Sequence, residues 1–162
     1  MFEIQSIEFS NKSGFYEELL LQARGLLTGE HDRVANAANL ASLLHHALPD
    51  VIWTGFYFYL DGELLVGPFQ GKPACVRIKL GEGVCGTAAQ LRETQIIEDV
   101  HAFNGHIVCD VAAISEIVVP ITSNDELVGV LDIDSASHGR FDDDDRKGLE
   151  AIVNLYVHSL GY

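Results

Sequence analysis

Basic residues are scarce in this chain: ten lysines and arginines stand against twenty-four aspartates and glutamates, a net charge of −14 over 162 residues. Such a field repels phosphate backbones and anionic lipid, which argues against nucleic acid and membrane surfaces as partners. Long apolar runs are missing as well, and none approaches the roughly eighteen residues that a membrane span needs. Residues 1–5 carry neither a basic region nor an apolar stretch of signal-peptide length, so the expected setting is the reducing cytoplasm, with cysteines as thiols. Cysteines number only three, so a purely structural disulfide framework would leave one thiol over. No Cys-x-x-Cys pair occurs, and adjacent His45 and His46 point about 100° apart on a helix, so neither a bound metal nor a resident cofactor is expected. Gly81-Glu82-Gly83-Val84-Cys85-Gly86 lacks the lysine and the spacing of a phosphate loop. Repeats and low-complexity linkers are also absent, which leaves one domain over 1–162.

What is present clusters in the middle of the chain. Cys75, Cys85 and Cys109 follow one another within thirty-five residues, each in a polar or glycine-bearing context. A structural cysteine usually behaves as a small hydrophobe inside an apolar run. Further on, acids interrupt apolar strands: Glu116 in Ser-Glu-Ile-Val-Val-Pro, then Asp132 and Asp134 in Gly-Val-Leu-Asp-Ile-Asp-Ser. Thiols beside carboxylates suit redox chemistry that also moves a proton.

Hydrophobic periodicity predicts helices over 13–28 and 31–48, the latter ended by Pro49-Asp50. Strands follow at 51–60 and 63–69 around an Asp61-Gly62 hairpin turn, and at 75–80. A short helix over 83–92 carries Cys85 in its first turn. Strands at 94–100, 115–122 and 127–135 come next, with an aperiodic stretch at 101–114 of the kind that is usually functional or mobile. A closing helix covers about 141–160, opened by the acidic run 142–145, which reads as a solvated face favoured by the helix dipole. This order indicates an α+β fold: helices 13–48, sheet and loops 51–135, closing helix 141–160, with a mainly antiparallel sheet.

Two pairs on these strands can be placed by period alone. Asp132 and Asp134 leave one face of their strand, as do Trp53 and Tyr57 on the first. Buried acids are costly unless they meet a cation or share a proton. Glu116 lies on the neighbouring strand. With a two-residue turn at Asn124-Asp125 it falls opposite Ile133, on the wrong face, and it joins the aspartates only through a bulge, an odd-numbered loop or irregular pairing. Trp53 and Tyr57, taken by themselves, read as ordinary core aromatics.

The motifs at 71–75, 81–86, 105–110, 115–120 and 129–135 together resemble the GAF-domain free methionine-(R)-sulfoxide reductases, from about residue 13 onward. One departure is Val111-Ala112-Ala113-Ile114, which lacks the small hydroxyl residues that the family pattern places before Ser115. The resemblance implies a six-stranded antiparallel sheet and reduction of free L-methionine-(R)-S-oxide, with thioredoxin as the external dithiol and a homodimer as the expected assembly. It further implies that Cys109 is the nucleophile, Cys75 the resolving thiol and Cys85 a secondary partner. Trp53, Tyr57, Glu116, Asp132 and Asp134 become substrate-binding positions. The residues themselves leave the nucleophile open: Cys85 at a helix N-terminus has its own claim, against the reading that it merely packs the helix on the sheet. The competing functions are a GAF-type sensory module that binds a small ligand, and a thiol protein that responds to redox state or metal without turnover.

Overall fold

The computed structural model describes residues 11–105, 107 and 109–161. Helices α1 (Lys12–Leu27) and α2 (Arg33–Ala47) precede strands β1 (Trp53–Leu60), β2 (Glu63–Gln70) and β3 (Arg77–Lys79). Helix α3 (Gly83–Leu91), strand β4 (Gln95–Ile97) and a 3₁₀ turn at Val100–Ala102 follow. The chain closes with β5 (Ser115–Ser123), β6 (Glu126–Ser135) and α4 (Asp143–Ser159). The strands form one sheet in the order β3-β2-β1-β6-β5-β4, and every neighbouring pair is antiparallel. This is the expected α+β fold with six strands. No described helix is long and apolar enough to cross a membrane.

Alternation along the strands divides the sheet into two faces. Phe56, Phe58, Ile117, Val119, Ile121, Leu131 and Ile133 point to one side and pack with α1, α2 and α4. Trp53, Tyr57, Val118 and Val130 point to the other, where they meet Val84, Cys85, Ala88 and Ala89 of α3. The helical side is a continuous apolar core. The opposite side is covered by one short helix and by loops, which leaves room for a site.

Two tight turns start the β1–β2 and β5–β6 hairpins. Asp61 and Gly62 both have positive φ (52° and 91°), as do Asn124 and Asp125 (49° and 63°), which matches the right-handed twist of the flanking strands. Helix α4 begins on a capping box in which Asp142 and Asp145 bond each other's backbone N–H. The acidic run here is not wholly a solvated face. Asp145 is 1% exposed, accepts from the Tyr16 hydroxyl (2.8 Å), and is paired with Lys12 (2.5 Å) and Arg140 (3.2 Å). It therefore fastens α1 to the start of α4.

Strand β3 is shorter than its sequence suggests. Only residues 77–79 pair fully with β2, although Val66 N–H still donates to Val76 C=O (2.9 Å). Cys75 lies outside the strand and is bonded through its sulfur to Cys109. The predicted strand at 94–100 is likewise cut to Gln95–Ile97, where Asp99 caps the 3₁₀ turn by accepting from His101 N–H.

Candidate active site

A pocket opens on the α3 side of the sheet. Its walls include Trp53 and Tyr57 from β1, Cys85 from α3, Glu116 from β5, Asp132 and Asp134 from β6, and Cys109 from the loop before β5. Seven of the eight residues expected from the sequence thus converge. The eighth, Cys75, is not on the wall but is joined to it by a disulfide to Cys109, with Cα atoms 5.5 Å apart. Cys85 is the free cysteine, and it is buried.

The aromatic wall rests on a glycine. Any Cβ at Gly55 would meet both the Trp53 indole and Phe69, so the ring folds flat over the strand at that point. Trp53 stacks between Tyr57 (centroids 5.9 Å) and Phe69 (5.3 Å). Both aromatics also reach the segment that carries Cys75: Trp53 Nε1–H donates to Lys72 C=O (3.0 Å), and the Tyr57 hydroxyl donates to Cys75 C=O (3.1 Å). Burial, then the nearby Asp132 charge, push the Tyr57 hydroxyl well above its ordinary pKa, so it stays a donor. These two residues are core aromatics and pocket walls at once.

The acids form the floor. Glu116 pairs with Asp134 across the β5–β6 ladder, and Val118 pairs with Asp132, so all three carboxyl groups share the pocket face. Glu116 and Asp132 are each 6% exposed. Burial pushes Asp132 up to about 7, and burial with the neighbouring Asp132 and Asp134 charges pushes Glu116 well above the carboxylate range. Asp134 is raised too, first by burial and then by Asp132. No lysine or arginine is among the pocket-lining residues. Such a floor either holds protons or takes a cation.

Cys85 lies in the first turn of α3, as expected, and its Sγ is 3.8 Å from Glu116 Oε1. A helix N-terminus lowers a thiol's pKa, yet here burial and then the Asp132 and Glu116 charges push it well up. The helix contribution loses because two carboxyl groups face the sulfur in a dry site. The claim of Cys85 to be an activated nucleophile fails on these surroundings.

Cys109 is exposed and Cys75 half-buried. Beside them, Lys72 and Asp110 form an ion pair (3.3 Å) that joins the two cysteine-bearing segments a second time. Ala112 N–H (2.9 Å), then Lys72, hold Asp110 below its ordinary range. Sequence reasoning quoted both residues inside their motifs but gave them no part; their only signal was adjacency to the cysteines. It also missed Gly83, Val84, Ile107 and Ala113 as pocket wall. His106, three residues before Cys109, lies outside the described residues.

Comparison with known proteins places this geometry. Residues 37–160 match the GAF domain family. The free methionine-R-sulfoxide reductase of Escherichia coli is 50% identical over 143 residues, covering 88% of this chain and 87% of the relative. That of Saccharomyces cerevisiae is 47% identical, covering 90% and 85%. The solved free methionine-R-sulfoxide reductase of Neisseria meningitidis in complex with its substrate superposes with a TM-score of 0.94 at 37% identity, covering 99% of this chain and 96% of that one.

Proposed function

Given that the chain belongs to the GAF domain family and to its free methionine-R-sulfoxide reductases, we propose that it reduces free L-methionine-(R)-S-oxide to methionine at the Cys109 pocket. One observation carries this reading: a Cys75–Cys109 disulfide lies at a pocket whose floor is three clustered, buried carboxyl groups.

The Cys109 thiolate attacks the sulfoxide sulfur while the departing oxygen takes a proton. The donor is the Glu116–Asp132 pair in the pocket floor, where burial raises both groups above the usual carboxylate range, Asp132 to about 7. The protonated oxygen then passes from the substrate sulfur to the Cys109 sulfur as the new sulfur–sulfur bond breaks, its electron pair returning to the substrate; methionine leaves, and Cys109 is left as a sulfenic acid. The Cys75 thiol then attacks the Cys109 sulfur, water departs, and the disulfide forms. An external dithiol attacks that disulfide and restores both thiols, becoming a disulfide itself. Two thiols and one sulfoxide thus yield one disulfide, methionine and water.

Cys109 rather than Cys75 has the nucleophile's place, because Cys109 lines the pocket and Cys75 reaches it through the bond between them. The substrate's ammonium meets Asp134, whose carboxyl sits beside Trp53 on the pairing strand. Its carboxylate has the N-terminal turn of α3, where Glu82 makes no side-chain capping bond and Gly83 and Val84 line the pocket. The Trp53 face serves the S-methyl end. Cys85 acts through its bond to Glu116, as a neighbour that holds the proton donor in position.

Electrons come from the dithiol, so the cycle as written uses no resident cofactor. The reductant is of thioredoxin type, the setting is the cytoplasm, and the assembly is a homodimer. The test is direct: reduced protein, dithiothreitol and racemic methionine sulfoxide should give methionine and leave about half the sulfoxide unreacted. No methionine from folded, reduced protein would remove the reading and favour a ligand-binding sensory module.

A further inference from the structure

In the pocket floor one sulfur and two carboxyl groups from three separate elements stand together at a spacing that a metal ion could bridge. A sulfur atom of Cys85 and one carboxylate oxygen each from Glu116 and Asp132 all lie within 4.8 Å of one another. The Cys85 Sγ to Glu116 Oε1 separation is 3.8 Å. A tetrahedral zinc ion with one sulfur ligand at about 2.3 Å and two oxygens at about 2.0–2.2 Å sets its ligands roughly 3.3–3.7 Å apart. Closing onto such an ion therefore takes side-chain movement of about an ångström and no backbone change.

A second observation points the same way. Asp132 Oδ1 is buried and has no hydrogen-bond partner, although Asp132 itself is only 6% exposed and lines the pocket. An orphaned carboxylate oxygen in a dry site is expensive, and a ligand is what relieves it. The three residues come from three separate elements: Cys85 from the first turn of α3, Glu116 from β5 and Asp132 from β6. Each is held by its own element's packing. The pocket-lining residues include no lysine or arginine that would oppose a cation.

We propose that Cys85, Glu116 and Asp132 form a site for a thiophilic divalent cation, of the zinc or cobalt kind, which occupies the sulfoxide's place and blocks turnover. The mixed donor set decides the class. A thiolate with two carboxylates suits zinc and cobalt, whereas magnesium and calcium take oxygen donors alone. Water from the pocket completes the tetrahedron. The ion is an inhibitor and not a cofactor, since it competes with substrate for the same carboxyl groups. Only that competition rests on the reductase reading; the binding itself does not.

The disulfide makes the test clean. In oxidised, metal-stripped protein Cys75 and Cys109 are tied up, and Cys85 is the free thiol left. Titration with cobalt(II) should produce a thiolate-to-cobalt charge-transfer band that saturates at one equivalent and is bleached by equimolar zinc. Cys85→Ser should lose the band. Asp132→Asn, close in shape and therefore safer for folding, should keep a band but bind at least tenfold more weakly. Added methionine should displace the cobalt. No band in wild type, or a band that survives in Cys85→Ser, would overturn the site. Cobalt that methionine does not displace would overturn its place over the substrate position. Turnover measured in parallel with a chelator present tests the reductase reading separately, so the two can fail independently.

Discussion

Glu116 stands directly across from Asp134 in the β5–β6 ladder, and it does so because of a bulge. Near the turn the pairs are Ser123 with Glu126 and Thr122 with Leu127; beyond it, Ile121 pairs with Gly129, leaving Val128 over. Without that extra residue Glu116 would face Ile133 and the helical core. One inserted position turns it over to join Asp132 and Asp134, since a one-residue slip exchanges the faces of a strand.

The two disulfide cysteines should separate cleanly by mutation. Cys109→Ser should abolish methionine formation. Cys75→Ser should still release one methionine per protein in a single turnover, while steady turnover with thioredoxin collapses and dithiothreitol restores part of it. A rapid-quench measurement of the burst distinguishes them, and a missing burst in Cys75→Ser would reverse the roles.

Asp132→Asn and Asp134→Asn each remove a carboxyl group that can carry charge opposite the substrate's ammonium or give a proton to its oxygen. Each should lower kcat/KM by roughly ten- to a hundred-fold, the equivalent of about 1.5–3 kcal/mol. Steady-state kinetics on both variants reads this directly. Unchanged kinetics in either would take that carboxyl group out of the site.

Asp132 also makes stability depend on pH. Its pKa rises from the ordinary aspartate value of 3.8 to about 7 on burial, so the folded state binds more protons than the unfolded state between those values. Stability therefore falls as pH rises from about 4 to about 7, by up to about 1.4 kcal/mol per pH unit for one proton. Thermal melts across this window should show the decline in wild type and a flatter profile in Asp132→Asn.

Far from the pocket, Asp145 joins Lys12, Tyr16 and Arg140. Asp145→Ala leaves Arg140, whose side chain is 9% exposed, without its partner. The loss should be about 3 kcal/mol, since breaking a buried pair strands the remaining charge. Denaturant unfolding measures it, and kcat at a temperature where the variant is folded should be unchanged.

The segments around Cys75 and Cys109 are joined by the disulfide and by the Lys72–Asp110 pair. Reduction removes the stronger tie, and the remaining pair is largely exposed on the lysine side. Amide exchange at residues 71–76 and 109–113 should quicken on reduction and slow again when methionine is bound. Equal exchange in all three states would mean a preformed, static site.

Local physics made much of this protein legible from its sequence. Helix periods, turn dipeptides and strand alternation located the elements, because each depends on neighbours a few residues away. The same period put Asp132 with Asp134 and Trp53 with Tyr57. Motif order then supplied the three cysteines and their acids. Tertiary structure decided the rest, because it concerned partners far apart in sequence. The bulge at Val128 chose the face of Glu116. A bond across thirty-four positions joins Cys75, which lies outside β3, to Cys109. Asp145 lies in a run of like charges, and only its contacts with Lys12, Tyr16 and Arg140 made burial tolerable. The helix dipole alone would have activated the Cys85 thiol; desolvation and two facing carboxyl groups, invisible along the chain, set it the other way.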